Sequence, residues 1–340
     1  MSATKVAING FGRIGRMVFR RAMKDEHLDV VAINASYPVE TLAHLIKYDS
    51  VHGQYDGTVE AKDEQLVVDG DVIQTVGHRD PAQLPWDSLD IDIVIEATGK
   101  FNSTDKAQPH IDAGAKKVVL TAPGKPADHT IVMGVNESDY NPDEHHIISN
   151  ASCTTNCLAP VAKVLHENFG IESGLMTTVH AFTSDQQNLD NPHKDLRRAR
   201  GCTQSIIPTS TGAAKAINDV LPDLKGKLHG MALRVPTPNV SLVDLVVDLE
   251  KDVTEEQVNE AFVEAMDGEL ANYLAINQDP LVSVDYTTSP YSSIIDGLST
   301  MVMDDHKVKV LAWYDNEWGY SCRVVDLVRY VGDKLYVHQS

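Results

Sequence analysis

The chain is poor in cysteine, with four in 340 residues. That is too few for a disulfide framework. No run of 18 uncharged apolar residues occurs, so no transmembrane helix is expected. Glycine (21) and proline (15) are not in excess, which excludes collagen-like and low-complexity classes. The opening residues Met1-Ser2-Ala3-Thr4-Lys5 lead into a strand-like run without the apolar stretch of a secretion signal. A soluble, cytoplasmic protein is expected. Basic residues are also scarce: 29 Lys and Arg face 49 Asp and Glu, a formal net charge of −20. Such a surface repels nucleic acid and anionic membranes. Neither is expected as a partner, and any phosphate ligand requires a local basic cluster to overcome the global field.

What is present suits a globular chain: 42% hydrophobic and 23% charged residues. At about 150 residues per domain, this length favours two domains. Val6–Gly10 is an apolar run ending at glycine. Apolar residues at helical spacing predict a helix over Arg13–Lys24, and Leu28–Ile33 reads as the next strand. A helix over Val39–Tyr48, strands Ile91–Glu96, Val118–Leu120 and His146–Ser149, and a helix around Lys106–Ala113 continue the alternation. Alternating helices and apolar strands mean a parallel sheet covered on both faces. The pattern then changes. A helix over Cys153–His166, bent at Pro160, precedes longer strands at Met176–Ala181, Gly230–Val235 and Leu242–Leu249. Met301–Met303 and Val308–Trp313 read as a hairpin, and Glu317–Tyr330 as a closing helix. A mostly antiparallel second domain follows. Ser184–Ser205 is the longest structureless stretch, polar and basic, as functional loops are.

Gly10-Phe11-Gly12-Arg13-Ile14-Gly15 follows a strand and opens a helix, the context a dinucleotide-binding turn requires. The first glycine permits the turn, the second admits a pyrophosphate, and the third lets helix and strand approach, with the helix N-terminus facing the anion. The expected fold class is α/β: a doubly wound, mostly parallel Rossmann-type sheet plus an α+β catalytic domain with a mostly antiparallel sheet. The expected boundaries are 1–152, completed by a C-terminal helix over 317–340, and 153–316. At the end of the second strand an NAD site carries Asp or Glu to read the ribose. This chain has Asn34-Ala35-Ser36, with no carboxylate before Glu40. Neutral side chains there accommodate a 2′-phosphate, which leans toward NADP with NAD also accepted.

Cys153 stands at a strand-to-helix junction among Ser152, Thr154 and Thr155, where the helix dipole favours a thiolate. Cys157, one turn later, is better explained as packing. The strand Thr177-Thr178-Val179-His180 supplies a candidate base. No zinc-ligand spacing occurs, so no metal is expected.

The chain resembles one family, phosphorylating glyceraldehyde-3-phosphate dehydrogenase, over its whole length. The motifs that carry the resemblance are Ile8 through Gly15, Ser149 through Asn156, Thr183, Asp195 through Arg200, Thr209 through Lys215, Arg234-Val235-Pro236 and Trp313 through Tyr320. The resemblance implies that Cys153 attacks the aldehyde, that His180 serves as base while hydride leaves for the nicotinamide, and that inorganic phosphate then cleaves the thioester. It implies that Thr183 and Arg234 hold the substrate phosphate. Ser152, Thr154, Thr211 and Gly212 hold the inorganic ion, with Arg198 nearby. Lys194, Arg197, Arg198 and Arg200 form the required basic cluster. Asn316 is implied to hold the nicotinamide amide, and Arg79 and Thr121 to contact the adenosine side. A homotetramer is implied as well.

Two departures matter. Members using NAD carry Asp at the end of the second strand, where this chain has Asn34, and often Leu before proline in the long loop, where it has Asn191-Pro192. The pair resembles the gluconeogenic bacterial form that prefers NADP. The alternatives are erythrose-4-phosphate dehydrogenase and a non-catalytic dinucleotide sensor. The intact Thr209-Ser210-Thr211-Gly212 weighs against the first, and Cys153 with His180 against the second.

Overall fold

The computed structural model describes residues 3–337. The first two residues, and 338–340 of the expected C-terminal helix, lie outside them. The chain divides into two compact units. One comprises 1–131, 138–151 and 321–340, the other 132–137 and 152–320.

The first unit is built on a nine-stranded sheet among the described residues. Its strands are β1 (Thr4–Asn9), β2 (Leu28–Asn34), β3 (Val59–Lys62), β4 (Gln65–Val68), β5 (Asp71–Val76), β6 (Ile93–Glu96), β7 (Lys117–Leu120), β8 (His129–Thr130) and β9 (Ile147–Ser149). Their order is β8-β9-β7-β6-β1-β2-β5-β4-β3. All pairings from β8 through β5 are parallel, and only β4 and β3 run antiparallel at one edge. The expected doubly wound sheet is therefore present. Its central strands are buried on both faces: Ile93–Glu96 and Lys117–Leu120 are buried throughout. Helices α1 (Arg13–Ala22), α2 (Val39–Lys47) and α3 (Thr104–Asp112) lie close to the predicted spans. One core cluster joins Ala7, Val94, Val118 and Ile147 of the sheet to Ala107 of α3 and to Trp86.

The second unit holds an eight-stranded sheet. Helix α4 (Cys153–Phe169) runs three residues past the predicted end and contains Pro160. The strands are β10 (Ile171–Ala181), β11 (Ile207–Ser210), β12 (Leu228–Val235), β13 (Ser241–Leu249), β14 (Leu274–Asn277), β15 (Ser293–Asp296), β16 (Met301–Met303) and β17 (Lys307–Tyr314). The path is β11-β12-β10-β13-β17-β15-β14, with β16 on β17. Five ladders are antiparallel, and β10–β12 and β14–β15 are parallel. The predicted hairpin is β16–β17, turning through Asp304 and Asp305 at positive φ. Helices α5 (Ala213–Val220) and α6 (Glu255–Asp267) belong to this unit. Helix α7 (Trp318–Val337) extends beyond the predicted Tyr330. The loop over 184–205 has no helix or strand, only a bridge between Gln187 and Gly201.

Candidate active site

In the second unit, α4 begins at Cys153. Ser152 caps it, its hydroxyl accepting from Thr155 N at 3.0 Å and lying 2.7 Å from the Thr155 hydroxyl. The chain reaches this helix through Ala151, held at φ 54°, a conformation that costs an L-residue energy. The cap and dipole aim the first N–H groups at the half-buried thiol.

The candidate base comes from the sheet. His180, near the end of β10, is the parallel register partner of Arg234 on β12. Neighbouring strands in register project both side chains from one face. The Cys153 sulfur lies 3.4 Å from His180 Nε2. At the other ring nitrogen, Nδ1 lies 2.7 Å from the Ala181 carbonyl and 2.6 Å from Arg234 Nη1. The Ala181 carbonyl can only accept and the Arg234 guanidinium can only donate, so the two compete for Nδ1; with the proton on Nδ1, donated to the carbonyl, Nε2 is free to accept from the thiol.

Electrostatics set the resting state. Burial pushes the thiol of Cys153 up, against the Arg234 charge and the donors of Thr154, which pull it down. Burial and then the Arg234 charge press His180 down to about 3. Burial thus favours a neutral thiol beside a neutral imidazole, against the thiolate that the helix terminus favours.

Behind the pair stands Tyr314 of β17, which no sequence signal assigns a role. Its hydroxyl lies 2.8 Å from both the Thr154 and the Thr178 hydroxyls, so one buried group ties α4 to β10 and β17. Its ring meets His180 edge-on, with centroids 5.9 Å apart.

Arg234 is mostly buried, and its Nε has no partner among the described residues, so the guanidinium keeps a donor for an anion. Arg198 lies in the long loop, bonded to the Thr209 hydroxyl at 2.9 Å, to the Ser210 carbonyl at 3.2 Å and to Asp185. Thr183 binds Gln186. Thr211 accepts from Ala213 N at 3.2 Å. Gly212 opens α5 with no side-chain cap, and a side chain there would meet nothing within 4 Å. Thr154 is buried, with its hydroxyl 2.8 Å from that of Tyr314. Asn316 is buried, with its carbonyl oxygen accepting from Ser241 at 2.8 Å and its amide nitrogen left over. Asn191 is exposed, 3.4 Å from Gln187.

The first unit carries the residues expected to hold a dinucleotide. Gly10 has φ 96°, and a Cβ on it would meet Thr98 N at 2.7 Å. A Cβ on Gly15 would lie 2.2 Å from the Gly10 carbonyl. Gly12 faces open space, and α1 starts there with neither a side-chain cap nor an acid in its first turn. An uncapped, unobstructed helix N-terminus suits a pyrophosphate. Ile14 lies in the first turn of α1, and its neighbour Arg13 is braced by Asp49, with one contact of 3.1 Å. Burial would raise the Asp49 carboxyl, but the Arg13 bonds and the N–H groups of His52 and Val51 hold it far below the usual range. Thr121 donates to the Glu96 carbonyl at 3.0 Å. Asn34 is buried, and its amide is used: Nδ2 donates to Asn9 Oδ1 at 2.6 Å and to the His78 carbonyl at 2.7 Å. His78 N donates back to Asn34 Oδ1 at 3.1 Å. Position 34 is therefore neutral but offers no free donor, while Ser36 and Arg79 are exposed.

Among the described residues, no helix is long and apolar enough to cross a membrane, and no three His, Cys, Asp or Glu side chains are grouped to hold a metal.

Two family models match the chain. Glyceraldehyde 3-phosphate dehydrogenase, NAD binding domain, covers 4–104, and glyceraldehyde 3-phosphate dehydrogenase, C-terminal domain, covers 152–316. The chain is 70% identical over 331 residues to a protein of Bacillus subtilis (strain 168) named glyceraldehyde-3-phosphate dehydrogenase 2, covering 97% of each. It is 62% identical over 334 residues to proteins of the same name from Staphylococcus epidermidis (strain ATCC 12228 / FDA PCI 1200) and Staphylococcus aureus (strain MRSA252), covering 98% of this chain and 97% of each relative.

Proposed function

The chain belongs to the glyceraldehyde-3-phosphate dehydrogenase family and is an NAD(P)-dependent oxidoreductase; from that premise we propose how its own residues carry the reaction and which cofactor it takes. The reaction is the reversible oxidative phosphorylation of D-glyceraldehyde 3-phosphate to 1,3-bisphosphoglycerate. The observation that carries the reading is the 3.4 Å approach of Cys153 to His180 beside Arg234.

Cys153 gives its proton to His180 Nε2 and attacks the aldehyde carbon, and His180 returns that proton to the oxygen, forming a thiohemiacetal. Thr154 and Cys153 backbone N–H groups at the helix start face the oxygen that gains charge. His180 then takes the hydroxyl proton as the C–H bond breaks, leaving a thioester on Cys153. The nicotinamide, when bound, accepts the hydride. Gly10, Gly12, Arg13, Ile14 and Gly15 hold the dinucleotide, with Thr121 and Arg79 on the adenosine side and Asn316 on the nicotinamide amide. Arg234 and Thr183 bind the substrate phosphate. Arg198, Thr211, Gly212, Ser152 and Thr154 receive the inorganic ion, whose oxygen displaces the thiolate.

NADP is the preferred cofactor and NAD a weaker one. Support comes from a neutral residue at position 34, with exposed Ser36 and Arg79 following it and its His78 partner. An Asp at 34 would repel a 2′-phosphate. Asn191 of the long loop adds a neutral group. The physiological direction is gluconeogenic. The cofactor domain is 1–152 with the C-terminal helix, and 153–316 is the catalytic domain. The protein works as a cytoplasmic homotetramer. Initial rates with all four cofactor forms, on glyceraldehyde 3-phosphate and on erythrose 4-phosphate, test the reading. The expected result is a kcat/KM advantage of about tenfold for NADP over NAD on the three-carbon substrate. Preference for NAD, or for the four-carbon substrate, overturns it.

A further inference from the structure

Ala181 ends β10, one residue after the proposed base, and both of its backbone polar groups are engaged. Its carbonyl lies 2.7 Å from His180 Nδ1 and accepts from Arg234 Nη1 at 3.1 Å. Its N–H donates to the Ser241 hydroxyl at 3.0 Å. Ser241 is the first residue of β13, the strand between β10 and β17, and the register partner of Tyr314 at the end of β17. Two residues past Tyr314 stands Asn316, whose Oδ1 lies 2.8 Å from the Ser241 oxygen. One hydroxyl thus joins the strand that carries His180 to the turn that carries Asn316.

That hydroxyl settles which way the Asn316 amide faces. A backbone N–H can only donate, so the Ser241 oxygen accepts from Ala181. Among the described residues its one other partner is Asn316, and its single proton goes to Oδ1. With the amide turned over, Nδ2 would donate to the Ser241 oxygen and the hydroxyl proton would have no acceptor. Ser241 is 1% exposed, so water would not replace the lost bond, and such a mismatch is costly. Oδ1 is therefore spent inward, and Nδ2 is presented as a donor. The backbone beneath is also held. Asp315 is buried; its Oδ1 accepts from Glu317 N at 2.9 Å and Trp318 N at 2.8 Å, and its Oδ2 from Asn239 Nδ2 at 2.8 Å and Thr288 N at 2.7 Å. Val240, between Asn239 and Ser241, has φ 67°, and Thr288 has φ 66°, a region that branched residues rarely adopt. Such angles persist only where the surroundings over-determine them.

We propose that Ser241 is a positioning residue for the nicotinamide: its hydroxyl orients the Asn316 amide so that Nδ2 donates to the carbonyl oxygen of the carboxamide, and it ties that donor to the strand end that holds His180. A carboxamide carries an acceptor on one side and a donor on the other, so a fixed donor selects one of its two orientations. An amide already oriented also spares the cost of ordering it when the cofactor binds.

The inference rests on the reading that Asn316 meets the nicotinamide amide, and a double-mutant cycle separates the two. Dissociation constants are measured by calorimetry for NADP and for 2′-phospho-ADP-ribose, the same molecule without its nicotinamide. The proteins are wild type, Ser241→Ala, Asn316→Ala and the double variant. The ratio of the two constants isolates what the nicotinamide contributes. Ser241→Ala should weaken NADP by about fivefold, the worth of one ordinary hydrogen bond, and leave 2′-phospho-ADP-ribose unchanged. In the Asn316→Ala background the same substitution should change the ratio no further, because its effect passes through that amide. A Ser241 that served only the fold would lower thermal stability and leave the ratio at its wild-type value, which overturns the proposal while the reading of Asn316 stands. A fivefold loss that persists undiminished in the Asn316→Ala background overturns it too. A ratio unmoved by Asn316→Ala overturns the reading of Asn316 and the proposal with it. Should Ser241→Ala fail to bind 2′-phospho-ADP-ribose, Ser241→Cys, whose thiol is a weak hydrogen-bonding group of similar shape, replaces it under the same criteria.

Discussion

Arg234 Nη1 lies 2.6 Å from His180 Nδ1, so the cation implied to bind the substrate phosphate also rests on the proposed base. The register of two parallel strands puts them there. Burial and this charge together hold His180 at about 3, below its ordinary 6.5. Between those values the unfolded chain takes up a proton that the folded chain refuses, so His180 lowers stability as pH falls from about 6.5 toward 3. Arg234→Leu removes one of the causes. Its thermal unfolding temperature should decline less steeply over that window than that of wild type, while KM for the phosphorylated aldehyde rises. Parallel declines in the two proteins would detach Arg234 from the base.

The two cysteines of α4 should separate cleanly. Cys153→Ala should lose aldehyde oxidation and retain dinucleotide binding. Cys157 is fully buried, with its sulfur 3.7 Å from the Ala312 carbonyl. Cys157→Ala should stay active and lose about 1 kcal/mol of stability to the small cavity. Assays of both variants, with denaturant unfolding of the second, check the assignment.

His180→Asn should keep a slow reaction, reduced by about 10² to 10⁴, the usual loss of a general base. The pH profile of Cys153 alkylation should change with it. An unaltered profile would remove His180 from the neighbourhood of the thiol.

Tyr314→Phe deletes a hydroxyl shared by Thr154 and Thr178 and leaves two buried groups short of a partner. A loss of about 1 to 3 kcal/mol is expected in denaturant unfolding. Because Thr154 follows Cys153, the proposed nucleophile, kcat should fall as well, with cofactor affinity unchanged. Unchanged stability would show that the three hydroxyls are not mutually dependent.

Much of this is legible in the sequence, for physical reasons that vary by element. Strands buried on both faces, such as Ile93–Glu96, read as apolar runs. Edge strand β3 does not: only Val59 of Val59–Lys62 is buried, and the rest is exposed polar chain or alanine. Helix α6 escapes the apolar pattern because its buried residues are only Val258, Ala261 and Phe262, although the Thr254–Gln257 capping box marks its start. At the site, Cys153 and His180 carry signals of residue type and context. Tyr314 looks like an ordinary strand aromatic, and its place depends on partners far away in sequence. Burial, which sequence shows poorly, pushes the Cys153 thiol up, against the helix terminus that sequence shows well.

The central claim is a thioester on Cys153 that only an oxyanion such as phosphate releases efficiently. Rapid mixing of enzyme, glyceraldehyde 3-phosphate and oxidised cofactor without phosphate, followed by absorbance of the reduced nicotinamide, tests it most directly. The account predicts a burst stoichiometric with Cys153 that then stalls, with turnover resuming when phosphate or arsenate is added. Sustained turnover with neither ion present would contradict it.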